Sequence, residues 1–172
     1  MTTPVLQLEE FFLTKFHVDF SFPPGVTHIE VKQLQSSFNY ETGTHMHEPN
    51  FRMLKFMGIF QELDDKDQHV GHRIEFEMVG FFSFTEATPK GKEEILLRIN
   101  GISLLYGALR GILASTTGVF PGGRFRLPNI MPQEIVADIE RRRTPELQKT
   151  KVATGKEQQV VAKPQFKSRV KA

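Results

Sequence analysis

At 172 residues, with 39% hydrophobic and 24% charged side chains, the chain is sized for one core-forming domain plus an appendage. The absence of cysteine excludes disulfide scaffolds, thiolate nucleophiles and cysteine-ligated zinc or iron–sulfur centres. A formal net charge of +2 hides a division, because Arg141 to Ala172 carries ten Lys or Arg against two Glu and the residues before it are net acidic.

The start, MTTPVLQLEE, lacks a basic stretch followed by an apolar one, and no run reaches the roughly 18 apolar residues that span a bilayer, so a cytoplasmic protein without membrane insertion is expected. Sixteen Phe, two Tyr and no Trp supply large apolar area with few polar handles. From Leu6 to Phe22 the apolar residues fall mainly on even positions, the period of a half-buried strand, and Pro23-Pro24-Gly25 stops it. In the next extended stretch Ile29 and Val31 share one parity and Leu34, Phe38 and Tyr40 the other, which predicts a bulge near Lys32 to Leu34. Phe51 to Leu63 is apolar on both parities, as in a central strand, and Asp64-Asp65-Lys66-Asp67 is a polar turn. Alternation returns from Val70 to Phe84. Phe11, Leu13, Val79 and Phe81 are placed together on the otherwise polar face, a cluster that implies a partner or a client.

After Pro89 the period becomes helical, with Ile95, Ile99, Ile102, Tyr106, Leu109 and Leu113 on one stripe and Gly118 as a C-cap. Gly107, Gly111, Ala114 and Ser115 form a small-residue face that invites close approach by the sheet or by a second subunit. A connector rich in Gly and Pro carries Phe120, Phe125, Leu127, Ile130 and Met131, which either staple the last helix to the core or re-pack around varied polypeptides. That helix is expected from Pro132 to about Arg143. Four strands followed by two helices give an α+β fold: a four-stranded antiparallel sheet with both helices on one face. The domain is expected to occupy residues 1–143, followed by a basic, mobile segment over 144–172.

No catalytic residue emerges, since there is neither a GxSxG nor a phosphate-cradling glycine pattern. His45, His47 and Glu48, and His69 with His72, lack diagnostic ligand spacing, and Asp64, Asp65 and Asp67 lack the glycine and distal glutamate of a calcium loop, so neither a metal site nor a cofactor is expected. The basic run from Arg141 has no interleaved aromatic except Phe166, so it reads as solvated and a nucleic-acid partner is not expected.

The stretch LLYGALRGILASTTGVFPGGRFRLPNI resembles the first-helix and connector region of the SecB protein-export chaperones, through Tyr106, Gly118, Phe120, Pro121, Leu127 and Pro128. Leu105 stands where that family usually has Pro, and Ala108 where it has Arg. The resemblance spans roughly Leu6 to Arg143 and implies a chaperone assembled as a dimer of dimers, Gly107, Gly111, Ala114 and Ser115 being the interface candidates. It implies an ATP-independent holdase for unfolded or presecretory polypeptides, with Phe11, Leu13, Phe81, Phe120, Phe125, Leu127, Ile130 and Met131 as candidate client contacts. The SecA motor is the implied downstream partner, although family members usually end in acidic sequence. A toxin–antitoxin-associated chaperone, an adaptor with one fixed partner, and a hotdog-like thioesterase are the alternatives; the last places its long helix before most strands.

Overall fold

The computed structural model describes residues 5–22, 30–44, 51–85, 88, 91–120 and 123–157, with backbone alone from 145 onward. Four strands run Leu6–Ser21 (β1), Gln33–Thr44 (β2), Phe51–Leu63 (β3) and His69–Phe84 (β4), all antiparallel in the order β1-β4-β3-β2. The two central strands are the ones apolar on both parities or strictly alternating, whereas the edges are the more polar β2 and the irregular β1. The β3–β4 turn is built by Asp64, whose carboxylate accepts the backbone N–H groups of Lys66 at 2.8 Å and Gln68 at 2.9 Å. Those bonds, Gln68 first, hold its carboxyl below the usual carboxylate range.

The predicted bulge in β2 is not found: β2 and β3 pair without interruption from Gln33 to Thr44, and Ile29 lies outside the described residues. The irregularities sit in β1 instead, between Leu8 and Glu10 and between Leu13 and Lys15. Each bulge inserts one residue and reverses the parity. Leu6 and Leu8 therefore face the core on even positions, Phe11 and Leu13 on odd ones, and Phe16, Val18 and Phe20 on even ones again, opposite Phe76, Ile74 and His72.

The long helix runs Glu93–Val119 and is continuous, but its second turn, Leu97–Gly101, is a π-helix and its last, Thr117–Val119, a 3-10 turn. The π-turn adds a residue to the repeat, so the buried stripe is Leu97, Gly101, Ile102, Leu105, Tyr106, Leu109 and Leu113. Ile95, expected on that stripe, is 56% exposed as a result. A Cβ on Gly101 would stand 2.8 Å from Leu54 Cδ2, and one on Gly80 2.9 Å from Leu105 Cδ2, so glycine on each partner sets the depth at which helix meets sheet. Gly118 lies inside the terminal 3-10 turn rather than in a left-handed cap, and the chain leaves the helix at Phe120 in an extended conformation. By length and composition this helix could cross a membrane, which the count of apolar residues in sequence did not anticipate; here its apolar stripe forms one wall of the core.

Between helix and sheet the filling is largely phenylalanine. Phe56, Phe60, Phe76 and Phe82 are fully buried, with Phe38–Phe56 centroids 5.7 Å apart, Phe56–Phe76 5.3 Å and Phe60–Phe76 5.9 Å. Each such pair adds about 0.5–1.5 kcal/mol beyond its area. Ile135 and Ile139 of the final helix and Phe125 of the connector complete the cluster.

The chain divides into two units, Met1–Ile139 and Glu140–Ala172. The final helix extends over Pro132–Glu157, past the predicted end at Arg143 and through Pro145, whose missing N–H removes one backbone bond without ending the helix. The Thr144 hydroxyl donates to the Glu140 carbonyl at 2.9 Å, a local bond that spans the helix just before the proline. Residues 158–172, the rest of the segment expected to be mobile, lie outside the described residues.

Candidate functional site

Two surfaces collect the residues singled out in the sequence. The first is the sheet face turned away from the helices. Because of the β1 bulges, Phe11 (opposite Gly80) and Leu13 (opposite Met78) are on the helix-facing side, contrary to expectation, and Phe12 takes their place on the open face opposite Val79. Phe12 is 47% exposed and meets Phe81 edge-on at 6.2 Å, while Phe81 pairs with Met53 across the β3–β4 ladder. Phe12, Phe81, Val79 and Met53 thus form a contiguous, incompletely buried apolar patch spanning three strands. Leu13 instead packs against the core, and Phe11 remains 40% exposed at its margin.

Charge pairs border the patch. Lys55 meets Glu77 at 3.1 Å and Lys15 meets Glu75 at 2.9 Å, and the Thr14 hydroxyl donates to Glu77 at 2.8 Å. The Thr14 bond, then the Lys55 ammonium, holds the Glu77 carboxyl below its ordinary value; the Lys15 bond does the same for Glu75. Both carboxylates stay ionised next to the patch, so one edge of the greasy surface is wet and charged.

The second surface is the connector, which three side chains of the long helix pin in place. Tyr106 Oη donates to the Pro128 carbonyl at 2.8 Å, Arg110 donates to Asn129 Oδ1 at 2.8 Å, and Thr117 Oγ1 accepts the Phe125 N–H at 2.8 Å while donating to the Leu113 carbonyl at 2.6 Å. Burial pushes the Tyr106 phenol up to about 12, against the opposing charge of Arg110. Phe125 is consequently sealed, 4% exposed, between Phe60 at 5.7 Å and His72 at 5.6 Å, and it is a core residue rather than open surface. Phe120 is half-buried over Phe20 and His72, Leu127 and Ile130 lean on the core, and Met131 and Val119 are exposed, at 60% and 86%.

His72 and Thr117 carry the connector and had no signal in the sequence. His69 and His72 both stand in the opening residues of β4, and His72 is buried with its Nδ1 3.0 Å from Glu62 Oε2. His45, His47 and Glu48 lie outside the described residues, and among those described no group of three metal-ligating side chains converges. Away from the connector, an open groove of about 480 Å³ lies between the end of β2 and the start of the long helix, lined by Thr42, Gly43, Arg52, Glu93, Glu94 and Leu97. It is closed on one side by the 3.1 Å Arg52–Glu93 pair.

The small-residue face of the long helix does not touch the sheet. Gly107 and Gly111 are exposed, and a Cβ on either would meet nothing within 4 Å; Ser115 is exposed and Ala114 half-buried. At Gly107 and Gly111 the sheet therefore does not fill that face.

No protein-family model and no curated protein matches the sequence. Among solved structures, the chain is similar to the Mycobacterium tuberculosis SecB-like chaperone Rv1957, solved in complex with a ChAD peptide from the Rv1956 HigA1 antitoxin. The likeness has a TM-score of 0.52 at 15% identity and covers 73% of this chain and 90% of that one. A protein of unknown function from Streptococcus agalactiae matches with a TM-score of 0.44 at 9% identity, over 72% of this chain and 97% of that one. A long helix placed after all four strands also departs from the hotdog order, and the sheet, the helix order and the structural likeness together assign the chain the SecB-like fold.

Proposed function

We propose that the chain is an ATP-independent holdase that binds unfolded polypeptide in extended form and catalyses no covalent step. The observation that carries this reading is the patch of Phe12, Phe81, Val79 and Met53 on a sheet face that no described element covers. Folding has left part of that area in water, most of all at Phe12, although each large side chain of this kind gains about 1.5–3 kcal/mol on full burial. The connector residues Phe120, Leu127, Ile130 and Met131 are a second candidate contact, whereas Phe125 is left out because it is sealed. Ionised Glu75 and Glu77 beside the patch, in a net acidic body, favour client segments that carry Lys or Arg among apolar residues.

The small-residue face at Gly107, Gly111, Ala114 and Ser115 suits a second copy of the chain, in the dimer-of-dimers arrangement of the SecB fold, and a cytoplasmic location fits such a role. Two client programmes remain distinct. General export would hand clients to a SecA motor. The antitoxin peptide bound to the M. tuberculosis neighbour favours a second reading, a chaperone dedicated to one antitoxin. The test is light scattering of a reduced, unfolding client with the chain present at stoichiometric ratio and no nucleotide. Suppressed aggregation is expected; a chain that ignores native and unfolded protein alike would rule the holdase out, and protection of a single client only would favour the dedicated or adaptor reading.

A further inference from the structure

Oxidants find few side chains to act on in this chain. There is no Cys and no Trp, and the two Tyr, Tyr40 and Tyr106, are buried at 3% and 6% exposure. The methionine thioether is the group left for a two-electron oxidant. Of the six methionines, Met1 and Met46 lie outside the described residues, and Met78 is fully buried in the core opposite Leu13 and Phe56. The other three all stand on the two candidate client surfaces. Met131 is on the connector, 60% exposed, and Met53 and Met57 are half-buried on the open sheet face, two residues apart in β3. Met53 lies within the apolar patch, opposite Phe81 on β4 and Gly43 on β2. A Cβ on Gly43 would stand 3.0 Å from Met53 Cε, so the thioether reaches across a β2 position that carries no side chain. Met57 is opposite Glu77, where the patch meets its charged border.

Methionine is apolar and adaptable, which suits a surface that must fit varied partners. Its sulfoxide is neither, because the S=O oxygen is a strong acceptor and an apolar client side chain pressed against it supplies no donor. Resting on the holdase reading, and naming the regulation of the same surfaces, we propose that Met53, Met57 and Met131 form a redox switch: a hydroperoxide turns client holding off by oxidising them, and thiol-dependent reduction turns it on again. In the oxidation, a sulfur lone pair attacks one peroxide oxygen, the O–O bond breaks and an S=O bond forms. Sulfur gives up two electrons, and the departing hydroxide takes the proton left on the transferred oxygen and becomes water. In the return step two thiols supply two electrons and two protons, giving thioether, water and a disulfide, with one reductase for each sulfoxide epimer. Met78, enclosed by the close-packed core, keeps its thioether while the fold is intact.

The full chain is treated with hydrogen peroxide, the oxidant is removed, and binding of a fluorescent, permanently unfolded, methionine-free polypeptide is measured by anisotropy, with peptide mass mapping to read each methionine. Sulfoxide is expected at Met53, Met57 and Met131 while Met78 is spared, and affinity should fall about tenfold or more. Both sulfoxide reductases with dithiothreitol should restore it. The variant Met53→Leu/Met57→Leu/Met131→Leu, close in volume and apolar, should bind like the untreated chain and lose nothing to peroxide. Unchanged affinity once the three are oxidised would overturn the switch, as would equal loss in the leucine variant or oxidation of Met78 as fast as the others. Failure of the untreated chain to bind the polypeptide would remove the holding role and the switch with it, whereas binding that peroxide leaves untouched removes the switch alone.

Discussion

Thr117 shows how a single hydroxyl sets the shape of a surface. Wholly buried, it accepts from the Phe125 N–H and donates to the Leu113 carbonyl, so the connector's turn is tied to the end of the helix. Thr117→Val keeps the shape and strands a buried N–H, which should cost about 1–3 kcal/mol. Urea unfolding should show that loss, and hydrogen exchange at Phe125 should accelerate, whereas Thr117→Ser should restore both. Tyr106 acts on the same connector through Pro128. Tyr106→Phe should cost about 0.5–1.5 kcal/mol for the lost bond. Its phenol is raised from 10.0 to about 12 by burial, so the folded state holds the proton more tightly than the unfolded chain. The stability this gives is complete below pH 10.0 and is lost as pH rises toward about 12. Denaturant midpoints measured across that alkaline window should fall more steeply for the unaltered chain than for Tyr106→Phe. None of this was legible in sequence, because bonds from residue 106 to 128 and from 117 to 125 depend on how the connector folds back.

At the level of elements, what sequence revealed and what it hid follow one physical line. β3 was predicted at its observed limits, since a run apolar on both parities bounded by a charged turn has few other solutions. The bulges of β1 were hidden by Phe11-Phe12, where apolar residues on both parities let either face be inward, and the register was decided by pairing with β4. The π-turn was hidden likewise: Ile95, Ile99 and Ile102 satisfy an α-helical stripe, but the close approach of Gly101 to Leu54 selects another phase. Pro145 suggested an end to the final helix that the backbone does not make. The glycines of sheet and helix now divide into two kinds. Gly80→Ala on the sheet under the helix should cost about 1–3 kcal/mol by overpacking against Leu105 and Phe82. Gly107→Ala, which meets nothing within 4 Å, should stabilise the isolated chain by up to about 1 kcal/mol. Thermal melts of the two variants should therefore shift in opposite directions. Sedimentation of Gly107→Leu then tests the proposed subunit contact, with a smaller assembly expected.

For the molecule as a whole, the fold class was legible because four strands and two helices leave little freedom once the apolar faces must meet. The site was only partly legible. Its residue type and strand were right, yet the open face carries Phe12 where Phe11 and Leu13 were expected, and Phe125 belongs to the core. The account therefore depends on one surface, and heat capacity reports on it directly, since burying apolar area on binding makes ΔCp negative. Titration calorimetry at several temperatures should use a permanently unfolded, reduced and alkylated polypeptide, with the unaltered chain and with Phe12→Ser/Phe81→Ser. The account predicts binding with a negative ΔCp that shrinks, together with the affinity, in the double variant while its melting behaviour is kept. Binding of the same strength and the same ΔCp in both proteins, or no binding to the unaltered chain, would contradict it.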